Sequence, residues 1–261
     1  MIFCSLYSGS SGNSIFVSSE KSKILIDAGL PGKSIDAALK EIDESPTQLD
    51  AIFVTHEHLD HVKGIGVMSR KYNIPIYANE GTWEGMTKTV GKIKECNIKI
   101  IDSNVTNIKD MDIINYPIPH DATNPIGYSI YSLGKKVSIT TDFGYLTADI
   151  KRNIEDSDVI LLESNHDVEM LKFGPYPYSL KRRILSDIGH LSNDDCGTAI
   201  VDMMNDKYKR IILGHLSNTN NYPELAYETV ISVLRENNIE LKKDIAVQMA
   251  SRKGPSSYIK I

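Results

Sequence analysis

The stretch that decides the fold is Thr55-His56-Glu57-His58-Leu59-Asp60-His61, which follows the apolar run 51–54. Such a run predicts a buried strand, so the polar residues lie on the turn that leaves it. Side chains alternate along extended backbone, so His56 and His58 point to the same side and can reach one metal ion. Asp60 and His61 come after the bend and can bind a second ion. This density of metal-binding side chains predicts a metal site rather than a polar loop.

Six positions cannot complete two coordination shells, so further ligands must come from elsewhere in the chain. The other candidates are polar residues at the ends of apolar, strand-like runs: His120, Asp142 and His215. Asp27 and Glu163 also follow such runs. Strand ends are rigid platforms, which suits side chains that converge on one point. We expect Asp27 to hydrogen-bond a ligand histidine or the nearby Gly/Ser loop, and Glu163 to support the site in the same way.

Composition and length indicate an ordinary globular protein. The 261 residues are 41% hydrophobic and 24% charged, with a net charge of −5, which argues against wholesale wrapping of nucleic acid but allows a local basic groove. The first residues lack the positive flank of a signal peptide, and no apolar run approaches the roughly 20 residues that span a bilayer. We therefore expect a cytoplasmic protein that does not associate with membranes.

The cysteines Cys4, Cys96 and Cys196 are odd in number, far apart and never in a CxxC pair. A disulfide framework or a thiolate zinc site is therefore not expected, and buried apolar cysteine is the better interpretation. Any metal must be bound by histidine and carboxylate.

Short β-rich runs alternate with helical segments along the whole chain, without a linker, repeat or low-complexity tract. Strands are predicted from residues 1–7 to 245–249, with none between Ala78 and Met111, and helices from 33–42 to 224–236, including one over 61–72. Strands come first and mixed halves follow, which predicts an α/β fold with two β-sheets packed face to face and helices outside. We expect residues 1–261 to form a single domain.

The run HxHxDH, a distant His120, the strand-end Asp142 followed by Phe-Gly, and a final His215 resemble the metallo-β-lactamase superfamily over the whole chain. The resemblance implies a four-layer αβ/βα sandwich. It implies His56, His58 and His120 on a first metal, Asp60, His61 and His215 on a second, and Asp142 bridging both. Two divalent ions, zinc, manganese or iron, suit these ligands, and the sequence does not choose among them. A two-metal centre activates water, so hydrolysis is the expected reaction.

Departures from other branches of the superfamily narrow the choice. The diiron redox branch uses glutamate where His58 stands, and the best-known lactamases use cysteine where Asp142 stands. The β-CASP nucleases insert a domain between the bridging aspartate and the last histidine, and the stretch from Asp142 to His215 is too short for one. The long arm with which tRNA 3′-processing enzymes grip tRNA is not visible either.

Further motifs resemble the YycJ/WalJ (VicX) family: SGSSGN (8–13), TDFG (141–144), ESNHD (163–167), YPxxLKxRI (176–184) and GHLSN (189–193), the last echoed at 214–218 in a different predicted context. That family is described as cytoplasmic, phosphodiesterase-like and active as a 5′→3′ exonuclease on DNA. The resemblance implies DNA ends or a small phosphodiester as substrate. It implies that His190 contacts the scissile phosphate or protonates the leaving oxygen, a task that suits histidine near neutral pH.

The candidate residues divide by role. Asp60 and His190 are the candidate catalytic residues. The candidate substrate contacts are Ser10, Asn13, His166, Lys181, Arg182 and Arg183. His166 is equally explained as a structural histidine, and the basic run as the solvated face of a helix.

Two other functions stay open. The same metals could hydrolyse a thioester, a lactone, a β-lactam or a small cyclic phosphodiester. A non-catalytic scaffold linked to cell-wall two-component signalling would also keep the fold, although uncompensated carboxylates in one cluster would repel each other. The physiological substrate, the native metal, the polarity of any degradation and the oligomeric state are open at this stage.

Overall fold

The computed structural model covers residues 1–261 and contains two β-sheets of seven strands each. In the first sheet the strands, in spatial order, are β14 (Ser256–Lys260), β1 (Ile2–Tyr7), β2 (Ser14–Ser18), β3 (Lys23–Ile26), β4 (Ala51–Phe53), β5 (Ile76–Ala78) and β6 (Ile98–Ile100). In the second they are β13 (Ile245–Met249), β12 (Lys209–Gly214), β11 (Val159–Glu163), β10 (Lys135–Thr140), β9 (Ile126–Ser132), β8 (Met111–Pro117) and β7 (Val105–Ile108).

Nine α-helices and two short 3-10 turns connect the strands. The helices are α1 (Gly32–Glu41), α2 (Leu59–Val62), α3 (Ile65–Tyr72), α4 (Glu80–Val90), α5 (Ala148–Ile154), α6 (Val168–Phe173), α7 (Tyr178–Ile184), α8 (Asn193–Asp202) and α9 (Pro223–Glu236). The 3-10 turns are Pro46–Gln48 and Glu95–Asn97. None of the helices is both long and apolar enough to cross a membrane.

Three hydrophobic clusters define four layers. The central cluster joins side chains of both sheets, such as Phe53 of β4 and Tyr128 of β9. A second cluster packs the outer face of the first sheet against helices, with Leu39 of α1 among its members. A third does the same for the second sheet, with Ile200 of α8. Burial of apolar surface on both faces of each sheet stabilises this arrangement, and it confirms the predicted pair of sheets with helices outside.

Parallel strands bring their carboxyl ends to one edge of each sheet. Strands β3 to β6 run parallel in the first sheet, and β10 to β13 run parallel in the second. The residues that follow β3, β4, β10 and β12 include Asp27, His56, Asp142 and His215, and Glu163 ends β11. The topology therefore gathers the predicted site residues at one rim of the molecule.

The structure corrects three local predictions. The strands β6, β7 and β14 and the helix α6 are not predicted from the sequence. The helix predicted over 61–72 is divided into α2 and α3, because the chain bends at Gly64, where an added Cβ would lie 2.1 Å from the carbonyl oxygen of Leu30. All three cysteines are free; Cys4 and Cys196 are buried as expected, but Cys96 is exposed on the 3-10 turn before β6.

Candidate active site

Two groups of metal-binding side chains lie next to each other at this rim. The donor atoms of His56, His58 and His120 all lie within 4.8 Å of one another, and so do those of Asp60, His61 and His215. His58 Nδ1 is 3.3 Å from His120 Nε2. Asp60 Oδ2 is 3.5 Å from Nε2 of His61 and of His215. The structure thus brings together the six residues that the superfamily resemblance divides between two metals.

Asp142 lies between the two groups. Its Oδ2 is 3.2 Å from His61 Nε2, and its Oδ1 is 3.3 Å from His215 Nε2 and 3.9 Å from His120 Nε2. The carboxylate is buried, and it faces histidines of both groups. This is the position that a ligand shared by two ions requires.

Three of the strand-end residues adopt a left-handed backbone conformation. Asp27, Asp142 and His215 have φ angles of 60°, 62° and 54°. Residues with a side chain seldom adopt this conformation, and such strain is held mainly where the surrounding structure needs it for function. At these positions Asp27 and Asp142 both contact His61, and His215 contacts Asp142.

Three of the histidines are held by hydrogen bonds at Nδ1, on the side of the ring away from the cluster. Nδ1 of His56 donates to Thr55 Oγ1 (3.0 Å) and Nδ1 of His120 to the carbonyl oxygen of Gly189 (3.2 Å). Nδ1 of His61 donates to Asp27 Oδ2 over 2.7 Å. In each ring, Nε2 is then the nitrogen that would bind a metal, and the acceptor at Nδ1 fixes the orientation of the ring.

The site fits divalent metal ions. Donors bound to one zinc ion at about 2.0–2.1 Å lie about 3.3 Å apart, close to the spacings around Asp142. His56 Nε2, Asp142 Oδ2 and His215 Nε2 are buried and make no hydrogen bond. Burial lowers the pKa of His61, but attraction to Asp142, Asp60 and Asp27 raises it well above its ordinary value. The cluster therefore favours positive charge, as a cation site does.

Asp27 and Thr55 form the support beneath His61. Asp27 Oδ1 accepts from the backbone N–H of Thr55 and Oδ2 from the Thr55 hydroxyl, each over 2.8 Å. Of the two expected partners of Asp27, its carboxylate contacts the histidine. Its link to the Gly/Ser segment is through the backbone, since its carbonyl oxygen accepts from Ser14 Oγ. Close packing at Gly29 fixes the next loop, because an added Cβ would lie 1.6 Å from the Asp60 carbonyl oxygen.

Glu163 holds two histidines at once. Its Oε1 lies 2.8 Å from Nδ1 of His215 and 2.8 Å from Nδ1 of His190, while Oε2 accepts from the backbone N–H of Phe143. Burial raises the pKa of Glu163, but attraction to His190 and hydrogen bonds from both histidines lower it to about 2. The carboxylate is therefore charged at neutral pH, and it orients one residue of the metal cluster together with its neighbour His190.

Comparison with known proteins gives this arrangement a family. Residues 7–215 match the model of the metallo-β-lactamase superfamily. The chain belongs to this superfamily. It is 43% identical to exodeoxyribonuclease YycJ of Bacillus anthracis over 90% of this chain and 89% of that protein. It is 43% identical to exodeoxyribonuclease WalJ of Streptococcus pneumoniae over 93% of this chain and 91% of that protein. Within the superfamily it therefore belongs to the YycJ/WalJ family.

The solved structure of the metallo-β-lactamase fold protein YhfI from Bacillus subtilis superimposes with a TM-score of 0.70 at 16% identity, covering 98% of each chain. The expected metallo-β-lactamase sandwich is confirmed. In this superfamily member, the His and Asp clusters have the donor atoms to hold divalent metal ions.

The predicted substrate contacts differ in how close they lie to the His and Asp clusters. Asn13 is buried and its Nδ2 lies 3.1 Å from His61 Nε2, whereas Ser10 is exposed on the same loop. His166 is buried outside the metal-binding groups, and both of its ring nitrogens lack a hydrogen-bond partner. Burial lowers the pKa of His166 to about 4, so its ring is neutral at pH 7.

The three consecutive basic residues of α7 contact three different partners. The guanidinium of Arg183 makes a bidentate ion pair with Asp121, the residue after His120. Lys181 Nζ donates to the Lys172 carbonyl oxygen over 2.7 Å, and the Arg182 guanidinium lies 6.0 Å from the ring centre of Tyr178. Only Arg183 contacts the loop that carries a metal-binding histidine.

Sequence reasoning did not single out the residues that fix the loop after His120 or the one that contacts the backbone of His215. Glu57 Oε1 accepts from the backbone N–H (2.8 Å) and the hydroxyl (2.7 Å) of Thr123, and Asp121 pairs with Arg183. Asn165 Nδ2 donates to the His215 carbonyl oxygen over 2.9 Å. The available signal was position: Glu57, Asp121 and Asn165 each stand directly next to a predicted site residue in the sequence.

Proposed function

We propose that this chain is a two-metal phosphodiesterase that degrades DNA from its ends in the 5′→3′ direction. The observation that carries the proposal is the His190–Glu163 pair beside seven converging His and Asp side chains, in a chain 43% identical to two proteins named exodeoxyribonucleases. We also propose that residues 1–261 act as one domain without an insertion after Asp142. Zinc, manganese and iron all suit these ligands.

In this proposal His56, His58 and His120 would hold one ion, Asp60, His61 and His215 would hold the other, and Asp142, which lies between the two sets, would serve both. Bound divalent ions would lower the pKa of a water molecule and stabilise the charge that develops on the attacked phosphate. Asp60 is partly exposed, unlike Asp142, so its carboxylate can also orient the attacking water and accept its proton.

His190 acts at the leaving oxygen. Its Nδ1 is bound to Glu163, so Nε2 is the nitrogen available to the substrate, and its side chain is 16% exposed beside the buried cluster. An alkoxide leaving group needs a proton, and a protonated imidazole held by a carboxylate supplies one. Arg183 at the rim, Asn13 beside His61, and the more distant Ser10, His166, Lys181 and Arg182 are the proposed contacts to the nucleic acid.

The test uses the metal-loaded protein and linear duplex DNA with a 5′-phosphate, labelled at either the 5′ or the 3′ end. We expect early release of label from the 5′ end, shortened products that retain the 3′ label, and no activity in the His58→Ala variant. Intact DNA under conditions in which the same protein hydrolyses bis-p-nitrophenyl phosphate would contradict a DNA substrate. Equal activity of wild type and His58→Ala would contradict the metal mechanism.

A further inference from the structure

The segment between Glu163 and His190 leaves the candidate active site and returns to it. It contains α6 and α7, which together with their connection, residues 168–184, are called here the α6–α7 hairpin. Asp167, the residue after His166, caps α6 by accepting a hydrogen bond from the backbone N–H of Met170. At the other end, the Ile184 carbonyl oxygen accepts from the backbone N–H of His190 over 3.0 Å. The hairpin therefore continues from the Glu163–His166 segment at one end, and at the other end it contacts the site through His190 and through the pairing of Arg183 with Asp121, the residue after His120.

Two aromatic side chains of this hairpin face solvent. Phe173 is 85% exposed and Tyr178 is 76% exposed, the two largest exposed fractions among the aromatic residues of the chain. Large aromatic rings are normally buried because their apolar area is costly to leave in water. The two residues flank the four-residue stretch Gly174-Pro175-Tyr176-Pro177, and their exposure indicates a surface that binds another molecule.

The hairpin holds these rings on a stiff support. Pro175 and Pro177 restrict the backbone of the connection between the two helices. Lys181 Nζ donates to the carbonyl oxygen of Lys172, which ties α7 to the end of α6. A backbone restrained in this way loses little conformational freedom when a ligand binds.

The charge of the hairpin selects an anionic partner. It carries Lys172, Lys181, Arg182 and Arg183 against one carboxylate, Glu169, in a chain whose net charge is −5. Lys172 pairs with Glu169 and Arg183 with Asp121, so Lys181 and Arg182 are the cations without a carboxylate partner. The Arg182 guanidinium lies 6.0 Å from the centre of the Tyr178 ring, so one unpaired cation and one exposed ring share a surface. Bases that stack on aromatic rings while lysine and arginine neutralise phosphates are typical of single-strand nucleic-acid binding.

We propose that the α6–α7 hairpin binds the single-stranded nucleotides next to the reacting phosphodiester, with Phe173 and Tyr178 stacking on their bases. This inference rests on the proposed nuclease function and extends it: the hairpin would hold unpaired nucleotides at the end of the strand that is being degraded, whether the rest of the DNA is single-stranded or duplex. A duplex end offers no free bases to the two rings, whereas an unpaired strand offers one to each. An anionic membrane would also attract aromatic and basic residues, but continuity with a phosphodiester site favours nucleic acid.

The experiment compares Phe173→Ala, Tyr178→Ala and their combination with the wild type. The readout is kcat/KM for a single-stranded oligonucleotide divided by kcat/KM for bis-p-nitrophenyl phosphate, which carries no neighbouring nucleotide. We expect this ratio to fall about tenfold for each ring removed, mainly through KM, because base stacking on one aromatic side chain contributes to this extent. Tyr178→Phe, which keeps the ring, should retain the ratio.

The matched control is Tyr208→Ala. Tyr208 is 37% exposed and lies beside Arg210, as Tyr178 lies beside Arg182. It precedes β12, whereas His215 follows it, so the six-residue strand separates the two by about 20 Å. Its removal should leave the ratio unchanged.

Binding of a labelled single strand, followed by fluorescence anisotropy, separates the inference from the nuclease proposal. If the wild type degrades DNA but the ring variants match Tyr208→Ala in ratio and affinity, the inference is wrong and the nuclease proposal stands. If the wild type does not degrade DNA, weaker binding by the ring variants still supports the hairpin as a nucleic-acid surface, and equal binding overturns it. Cosedimentation of the wild type with anionic phospholipid vesicles but no binding of the oligonucleotide would also overturn it.

Discussion

The segments Gly189-His190-Leu191-Ser192-Asn193 and Gly214-His215-Leu216-Ser217-Asn218 have the same residues, and they flank the same piece of chain. The backbone N–H of Ser164 donates to the carbonyl oxygen of Gly214, and that of Asn165 donates to Leu191. Both histidines direct Nδ1 to Glu163 Oε1 over 2.8 Å. The local sequence and the supporting carboxylate are thus shared.

The backbone context differs. His215 follows the buried strand β12 in a left-handed conformation, and its side chain is 2% exposed, with Nε2 3.3 Å from Asp142. His190 lies between α7 and α8, and its side chain is 16% exposed. Depth and chain direction therefore assign the proposed roles: the buried histidine faces the metal cluster, and the more open one faces the space that a substrate can enter.

The largest expected effect separates the two histidines by metal content. His215→Ala removes a proposed ligand, so we expect one of the two ions to be lost and DNA hydrolysis to fall to background. His190→Ala should keep both ions, while kcat/KM for DNA falls about 10²–10⁴-fold, the usual contribution of a general acid. Metal analysis after dialysis, together with steady-state kinetics, measures both effects.

A substrate with a good leaving group sharpens this comparison. p-Nitrophenolate leaves without a proton, so His190→Ala should affect bis-p-nitrophenyl phosphate much less than DNA if His190 protonates the leaving oxygen. An equal loss on both substrates would assign His190 to phosphate contact instead. Loss of a metal ion from His190→Ala would contradict the division of roles.

A smaller effect is expected from the carboxylates that orient the histidines. Glu163 contacts two histidines, His190 and His215, whereas His61 is the one histidine that Asp27 contacts. Removing such a partner typically lowers metal affinity or activity about 10–100-fold. We expect Asp27→Asn to weaken metal binding but to recover kcat at saturating metal, and Glu163→Gln to remain slow there because His190 is also released. Full recovery of both variants would show that Glu163 acts on His215 alone.

The metal cluster was predictable from the sequence because its signals are local and chemical. Histidine and aspartate directly after apolar strands indicated where side chains converge, and parallel strands do bring Asp142 and His215 to one edge. Motif resemblance supplied the grouping of these residues into two metals. Fold class followed from the same alternation of strands and helices.

The missing elements lack such signals. The strand β6 has exposed apolar residues, Ile98 and Ile100, on a short edge, and three-residue strands carry little periodicity. The shared contact of His190 and His215 with Glu163 depends on how three separate segments pack, which no single stretch of sequence records. The different partners of Lys181, Arg182 and Arg183 could not be predicted for the same reason, because the partner of Arg183 is Asp121, which lies on a different loop.

The smallest expected effect concerns the two glycines that open the twin segments, and it tests whether their surroundings differ in rigidity. A Cβ at Gly189 would lie 2.2 Å from the Ile184 carbonyl oxygen and 2.4 Å from that of Arg183, both backbone atoms. A Cβ at Gly214 would meet side chains instead, Ser8 Oγ at 2.6 Å and Leu161 Cδ1 at 2.7 Å. Overpacking costs about 1–3 kcal/mol, and side chains adjust more readily than backbone. We expect Gly189→Ala to lower the free energy of unfolding in urea by about 3 kcal/mol and Gly214→Ala by about 1 kcal/mol.

The Gly189 carbonyl oxygen also accepts from His120 Nδ1, so Gly189→Ala should weaken metal binding as well. If Gly214→Ala were the more destabilising of the two substitutions, the segment at the end of β12 would be the more rigid one.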